Sequence, residues 1–168
     1  MKYSKETRFQ VDGMLGSLAR KLRIFGFDTA YQSDSVDDEL LKTSKKEHRV
    51  LVTSDRELYG RTRKHDIESI LITDTIDETN LLFIFKSLDL EYTELSPVFS
   101  RCSRCNGSLE RADDAGMTVS SEQMRDPRIV FRCVKCQKTY WEGSHWRKLR
   151  KTAEIIRLGL EHEKTVNH

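Results

Sequence analysis

Asp12 in "FQVDG", Asp55 in "VLVTSD" and Asp74 in "ILITD" each stand just past a short apolar run, while Asp37 and Asp38 open the stretch "DDELLKTSKKEHR". Carboxylates gathered at one place repel one another unless cations sit between them, and oxygen-only ligand sets select hard divalent ions. Mg²⁺ or Mn²⁺ is the cofactor this pattern suggests. The plain alternative is helix capping, because an Asp at a strand-to-helix junction accepts hydrogen bonds from the free N–H groups of the first turn. For any one of these acids capping is the simpler account. It leaves unexplained why several would share one sheet edge.

The four cysteines form a second constellation, "CSRC" at 102–105 and "CVKC" at 133–136. Cys102, Cys105, Cys133 and Cys136 can place four thiolates around one Zn²⁺, closing a polar, turn-rich loop that has little core of its own. Disulfides are the competing use, and paired Cys-x-x-Cys motifs without a secretory signal favour metal. A complete thiolate set leaves no open position, so the zinc expected here is structural.

Elements must carry these residues to one place. "RFQV", "FDTAY", "VLVT" and "IESILIT" read as strands, and the β-branched run "VLVT" reads as a buried one. Leu15, Leu18, Ala19 and Leu22 fall at i, i+3, i+4 and i+7 and predict a helix ending near Gly26. "DDELLKTSKKEHR" places acids at its start and bases at its end, as the helix dipole favours. "RELYGRTRKH" and "DETNLLFIFKSL" complete the alternation, the latter too densely apolar for an exposed helix. Strands alternating with helices predict an α/β body with a mostly parallel sheet covered on both faces. Such sheets bind ligands at the carboxyl ends of their strands, where Asp12, Asp55 and Asp74 fall.

The expected division is a body over residues 1–97, a zinc ribbon over 98–146 and a basic C-terminal helix and tail over 147–168. Charge follows it, with 15 Lys/Arg against 18 Asp/Glu in residues 1–100 and 14 against 9 in residues 101–168. An acidic body with a basic tail portion suits a polyanionic ligand, although solvated surface charge would look the same. With 33% charged and 37% hydrophobic residues, and no apolar run of membrane-spanning length, a soluble, cytoplasmic protein without a membrane partner is expected.

In "YWEGSHWRKLRKTAEIIRLGL", Tyr140, Trp141 and Trp146 are candidates to stack on unpaired bases, with Arg147, Lys148, Arg150 and Lys151 meeting phosphates. Packing of the aromatics between ribbon and body is the alternative. His145 is read as an RNA contact or a structural hydrogen-bonding group, since four cysteines already complete the metal set.

Taken together, "FQVDGMLGSLARKLRIFGFDT", "DDELL", "VLVTSDREL", the paired knuckles and "YWEGSH" resemble the Mut-seven C-terminal RNase domain family, over about residues 8–150. The resemblance implies a PIN-like three-layer α/β/α fold with an appended zinc ribbon, and a metal-dependent ribonuclease. It implies Asp12, Asp37 and Asp55 as the acidic site, with Asp74 as a fourth and Asp38 competing with Asp37. In that reading the carboxylates hold Mg²⁺ or Mn²⁺ for hydrolysis of RNA phosphodiesters. Asp12 is then first a metal ligand, with N-cap geometry helping to hold it. Arg20, Arg23 and Arg56 become candidates to steady the substrate phosphate. The expected partners are RNA, with tRNA, rRNA or the ribosome as settings. The alternative is an RNA-binding or ribosome-associated module with little turnover.

Overall fold

The runs expected as strands pair into one parallel sheet of β1 (Arg8–Val11), β2 (Asp28–Tyr31), β3 (Val50–Thr53) and β4 (Ser69–Leu71), in the order β2-β1-β3-β4. The computed structural model describes residues 6–92, 94–112, 130–141 and 143–166, with the side chains of residues 144, 145 and 163–166 outside that description. All four residues of β3 are buried, as a strand with neighbours on both sides and layers on both faces requires.

The helices between the strands are α1 (Gly16–Ile24), α2 (Asp37–Glu47), α3 (Arg56–Lys64) and α4 (Asp77–Ser87). Leu18, Ala19 and Leu22 of α1 are fully buried and pack with Phe9, Val11, Val50 and Val52 on one face of the sheet. Leu51 points the other way, into a smaller cluster with Leu40, Leu41, Leu58 and Ile67. The alternation within β3 therefore feeds two cores, which makes three layers. Edge-to-face contacts of Phe27 with Phe9 at 5.3 Å and with Phe85 at 5.6 Å tie α4 into the larger core.

A three-stranded antiparallel sheet follows, with β5 (Leu109–Arg111), β6 (Val130–Cys133) and β7 (Thr139–Trp141) in sequence order. Its four clustered cysteines give it the architecture of a zinc ribbon. The chain then enters α5 (Ser144–Val166), whose Leu149, Ala153 and Ile156 join the larger core. The dense apolar content of α4 has its reason here, since α4 packs against α5 as well as α1. Among the described residues no helix is long and apolar enough to cross a membrane.

Candidate active edge and cysteine centre

Chain direction across the sheet reverses between the neighbouring strands β1 and β3, one leading outward to β2 and the other to β4. Ligand crevices of parallel α/β sheets open at such a switch point, beyond the carboxyl ends of the strands. Asp12 follows β1 and Asp55 lies two residues past β3.

Asp12 remains on the sheet through its N–H, which donates to the carbonyl of Val52 at 3.0 Å. Its carboxylate caps nothing: no N–H of the following 3-10 turn (Gly13–Leu15) donates to it. N-cap geometry is therefore not what holds Asp12, contrary to the sequence expectation. The holding group is Thr53, fully buried at the end of β3, whose hydroxyl donates to Asp12 Oδ2 at 2.6 Å. The same hydroxyl oxygen accepts the N–H of Asp55 at 2.9 Å. With its one proton spent on Asp12, Thr53 ties the ends of the two switch-point strands together. Close approach helps from the other side, since a Cβ on Gly13 would collide with the backbone carbonyl of Ser33, and Tyr31 donates its hydroxyl proton to the Gly13 carbonyl at 2.9 Å.

Asp55 does cap a helix. Its Oδ1 accepts from the N–H groups of Glu57 at 2.7 Å and Leu58 at 3.1 Å, at the start of α3. Asp37 does not, because Val36 occupies the N-cap position of α2. Arg61 of α3 donates to Asp37 Oδ2 at 3.0 Å and, through its other terminal nitrogen, to Asp38 Oδ1. The Asp37 side chain is 44% exposed against 84% for Asp38, so Asp37 is the more enclosed of the two. Asp74 Oδ1 accepts the N–H of Ile76 at 2.8 Å, a local turn braced by Asn80, which donates to the Asp74 carbonyl at 3.0 Å. Asp74 lines a cleft of about 500 Å³ together with Met14, Ser54, Arg56 and Asp77.

One arrangement recurs at Asp12, Asp37, Asp55 and Asp74. In each, one carboxylate oxygen is held by a protein donor, and the other has no protein partner among the described residues. The four are nonetheless spread along the edge. Among the described residues only the cysteines bring three or more ligand atoms within 4.8 Å of one another.

That cysteine set is built from two knuckles of the same backbone design. Cys105 N–H points at Cys102 Sγ and Cys136 N–H at Cys133 Sγ, both at 3.4 Å. The residue after each knuckle, Asn106 or Gln137, takes positive φ, 66° or 62°, and its N–H returns to the carbonyl of the first cysteine. Gly107 is needed beside them, because a Cβ there would lie 2.8 Å from Cys133 Sγ. Sulfur separations of 3.5 Å for Cys102 with Cys136 and 3.4 Å for Cys105 with Cys133 approach the roughly 3.8 Å edge of a tetrahedron with bonds of about 2.3 Å. Burial pushes the Cys102 thiol up, yet hydrogen bonds from Tyr140 and the Cys105 amide outweigh it and bring it down to about 6. Burial leads in pushing Cys105 up to about 12. Metal binding to such a set requires the thiols to lose their protons.

The residues proposed to meet RNA separate by burial. Arg20, Arg56, Arg147, Lys148, Arg150 and Lys151 are exposed, as is Trp141 at 55%. Arg23 is not; it is 5% exposed, and its guanidinium donates to the carbonyls of Thr29, Ser103 and Arg104. Its Nε and one terminal nitrogen are thus engaged by backbone carbonyls, which ties α1 to β2 and to the first knuckle. Tyr140 is half-buried with its hydroxyl 2.9 Å from Cys102 Sγ, and Trp146 packs against the larger core. The side chain of His145 lies outside the described residues. Sequence reasoning missed Thr53 and Arg61. A hydroxyl ending the run "VLVT" was the available signal for the first.

No curated protein matches the chain. A family model, the Mut7-C RNAse domain, matches residues 7–153, a span that takes in both the carboxylate edge and the cysteine knuckles, and the chain belongs to that family.

Proposed function

We propose that the protein is a divalent-metal-dependent ribonuclease, cutting RNA internally at the edge where Asp12 and Asp55 end the two switch-point strands. Asp37 and Asp74 flank them as further ligands. The supporting observation is the division of labour within each carboxylate, one oxygen fixed by a protein donor and the other left for a cation. Ligands oriented in this way by outer hydrogen bonds are typical of metal sites, and oxygen donors suit Mg²⁺ or Mn²⁺. When bound, such a cation supplies an activated water and neutralises charge on the leaving oxygen. Thr53 keeps Asp12 an acceptor, and Arg56, exposed beside Asp55 and lining the cleft, meets the substrate phosphate. The four cysteines hold a structural Zn²⁺, for which their separations and thiol chemistry are suited.

RNA is the substrate class that membership of this RNase family implies. Processing or turnover of tRNA or rRNA in the cytoplasm is the setting this reading favours. A second reading, an RNA-binding or ribosome-associated module without turnover, draws on Arg61, which already pairs with Asp37 and Asp38.

Purified protein incubated with labelled RNA in Mg²⁺, Mn²⁺ or EDTA separates the two. Cleavage should require the divalent ion, and Asp12→Asn should reduce it by more than the 10–100-fold typical of losing an outer-shell partner. Since Asp12 caps no helix, this substitution leaves α1 its present termini. Cleavage that persists in EDTA, or an Asp12→Asn variant as active as the parent, would refute the metal-nuclease reading.

A further inference from the structure

Asp38, Leu41, Lys42, Lys45 and Lys46 share one face of α2 at helical spacing. With Arg61 of α3 and His65 just after it on the facing wall, they line a groove of about 420 Å³. Its floor is apolar, formed by Leu41 and by Ile67 after α3, both buried. The three lysines are exposed, and none has an acidic partner within 4 Å among the described residues.

We propose that this groove is a binding track for the phosphate backbone of a single RNA strand running away from the carboxylate edge. The inference rests on the ribonuclease reading for the identity of the polyanion, and on this chain's geometry for the place. The helix dipoles explain the cations at the helix ends, Lys45 and Lys46 of α2 and Arg61 and the following His65 of α3, but not Lys42 one turn earlier, nor the convergence of cations from both helices on one groove. One end of the groove is Asp38, beside Asp37, where α2 begins at the carboxyl ends of the strands. At 1.5 Å per residue, Asp38 and Lys46 lie about 12 Å apart along the helix, enough for about three stacked nucleotides at 3.4 Å each. A strand bound at the acidic edge would thus pass along successive lysines, with nucleotide faces over the apolar floor. The body carries a slight excess of acid over its first 100 residues, so gathering unpaired cations here makes this face attractive to a polyanion that the rest of the body repels.

The test measures binding of a fluorescein-labelled 12-nucleotide oligouridylate to zinc-loaded protein, without Mg²⁺, Mn²⁺ or chelator, across a salt series, which separates binding from cleavage and leaves the cysteine centre in place. Each phosphate contact on a single strand contributes about 0.7 to the log–log salt slope. Lys42→Gln/Lys45→Gln/Lys46→Gln should therefore flatten the slope by about 2 and weaken binding at low salt at least tenfold. Matched neutralisation of Arg147, Lys148 and Lys151 should change the slope less. Thermal melting of both variants checks that these exposed changes leave the fold intact. An unchanged slope in the α2 variant overturns the proposal, as does equally tight binding of polyglutamate to the parent, which would make the groove a site for acidic protein. If the α2 slope falls while the parent fails to cleave RNA, the track stands and the nuclease reading is what fails. If the parent cleaves and the slope is unmoved, the track alone is wrong.

Discussion

Replacing Arg23 by Met should loosen the metal knuckle and the sheet edge together. Arg23 donates to the Thr29 carbonyl at 2.9 Å, and one terminal nitrogen reaches the carbonyls of Ser103 at 3.1 Å and Arg104 at 3.2 Å, inside the first knuckle. Asn106 completes the joint, accepting the Thr29 N–H at 3.0 Å and donating to Asp28 at 2.7 Å. Strand β2 is the edge of the sheet, and these two side chains satisfy both outward-facing backbone groups of Thr29, a buried residue that water could not serve. Burial lowers the Arg23 pKa, and the nearby thiols of Cys102 and Cys105 oppose that shift. Met keeps most of the volume but leaves the Thr29 carbonyl without its donor, at about 1–3 kcal/mol. The Ser103 and Arg104 carbonyls sit on a partly exposed loop and recover water, so the total should be about 2–3 kcal/mol, a fall of roughly 4–12 °C in Tm for a chain of this size. Zinc affinity, read by competition with a chromogenic chelator, should drop 10–100-fold, because the lost partner is an outer-shell brace of the knuckle. Hydrogen exchange gives the independent readout, with the Thr29 amide protected in zinc-loaded protein and exposed after chelation. An Arg23→Met protein with parental Tm and zinc affinity, or a Thr29 amide equally protected in EDTA, would refute the coupling.

Thr53→Val removes the hydroxyl shared by Asp12 and Asp55 while keeping a β-branched side chain; stability should fall by about 1–2 kcal/mol in urea titration. Single-turnover RNA cleavage should fall 10–100-fold if Thr53 orients a metal ligand. Asp28 has a second signature: burial raises its pKa, but hydrogen bonds from Arg49 and Asn106 outweigh this and hold it below the ordinary carboxylate value. A depressed folded-state pKa gives stability that is present above the unfolded value, near 4, and is lost as pH falls through the folded one. Melting temperature against pH should therefore decline on the acid side of about pH 4, and Asp28→Asn should show a shallower decline.

Much of the fold was legible because periodicity survives in single elements. Four strands and four helices of the body stand within a few residues of their expected places, and each proposed acid sits at a strand end or helix start. What one acid does there was not legible. Asp12 and Asp55 occupy matching junctions, yet one caps and the other does not, because the donor to Asp12 comes from Thr53, 41 residues along the chain. Local sequence cannot rank a neighbouring amide against a hydroxyl delivered by another strand. Arg61 was missed for the same reason, since its pairing with Asp37 and Asp38 joins two helices that only the folded sheet brings together.

Arg23 is different, because its burial had a signal in the sequence. The apolar positions Leu15, Leu18, Ala19 and Leu22 continue at the same spacing to position 23, so a cation there lies on the buried stripe and not on the solvent face. A charge on such a stripe needs carbonyls to meet it, and those are supplied by the first knuckle and by Thr29. The overloaded apolar content of α4 posed the same kind of problem. Its answer was the apolar face of α5, whose Leu149, Ala153 and Ile156 enter the core of the body. In both cases a residue that misfits its own helix marks the place where a distant segment docks. The uneven charge of the two halves is thus no sign of independent parts: knuckle and C-terminal helix are each anchored in the body by the residues that looked out of place in it.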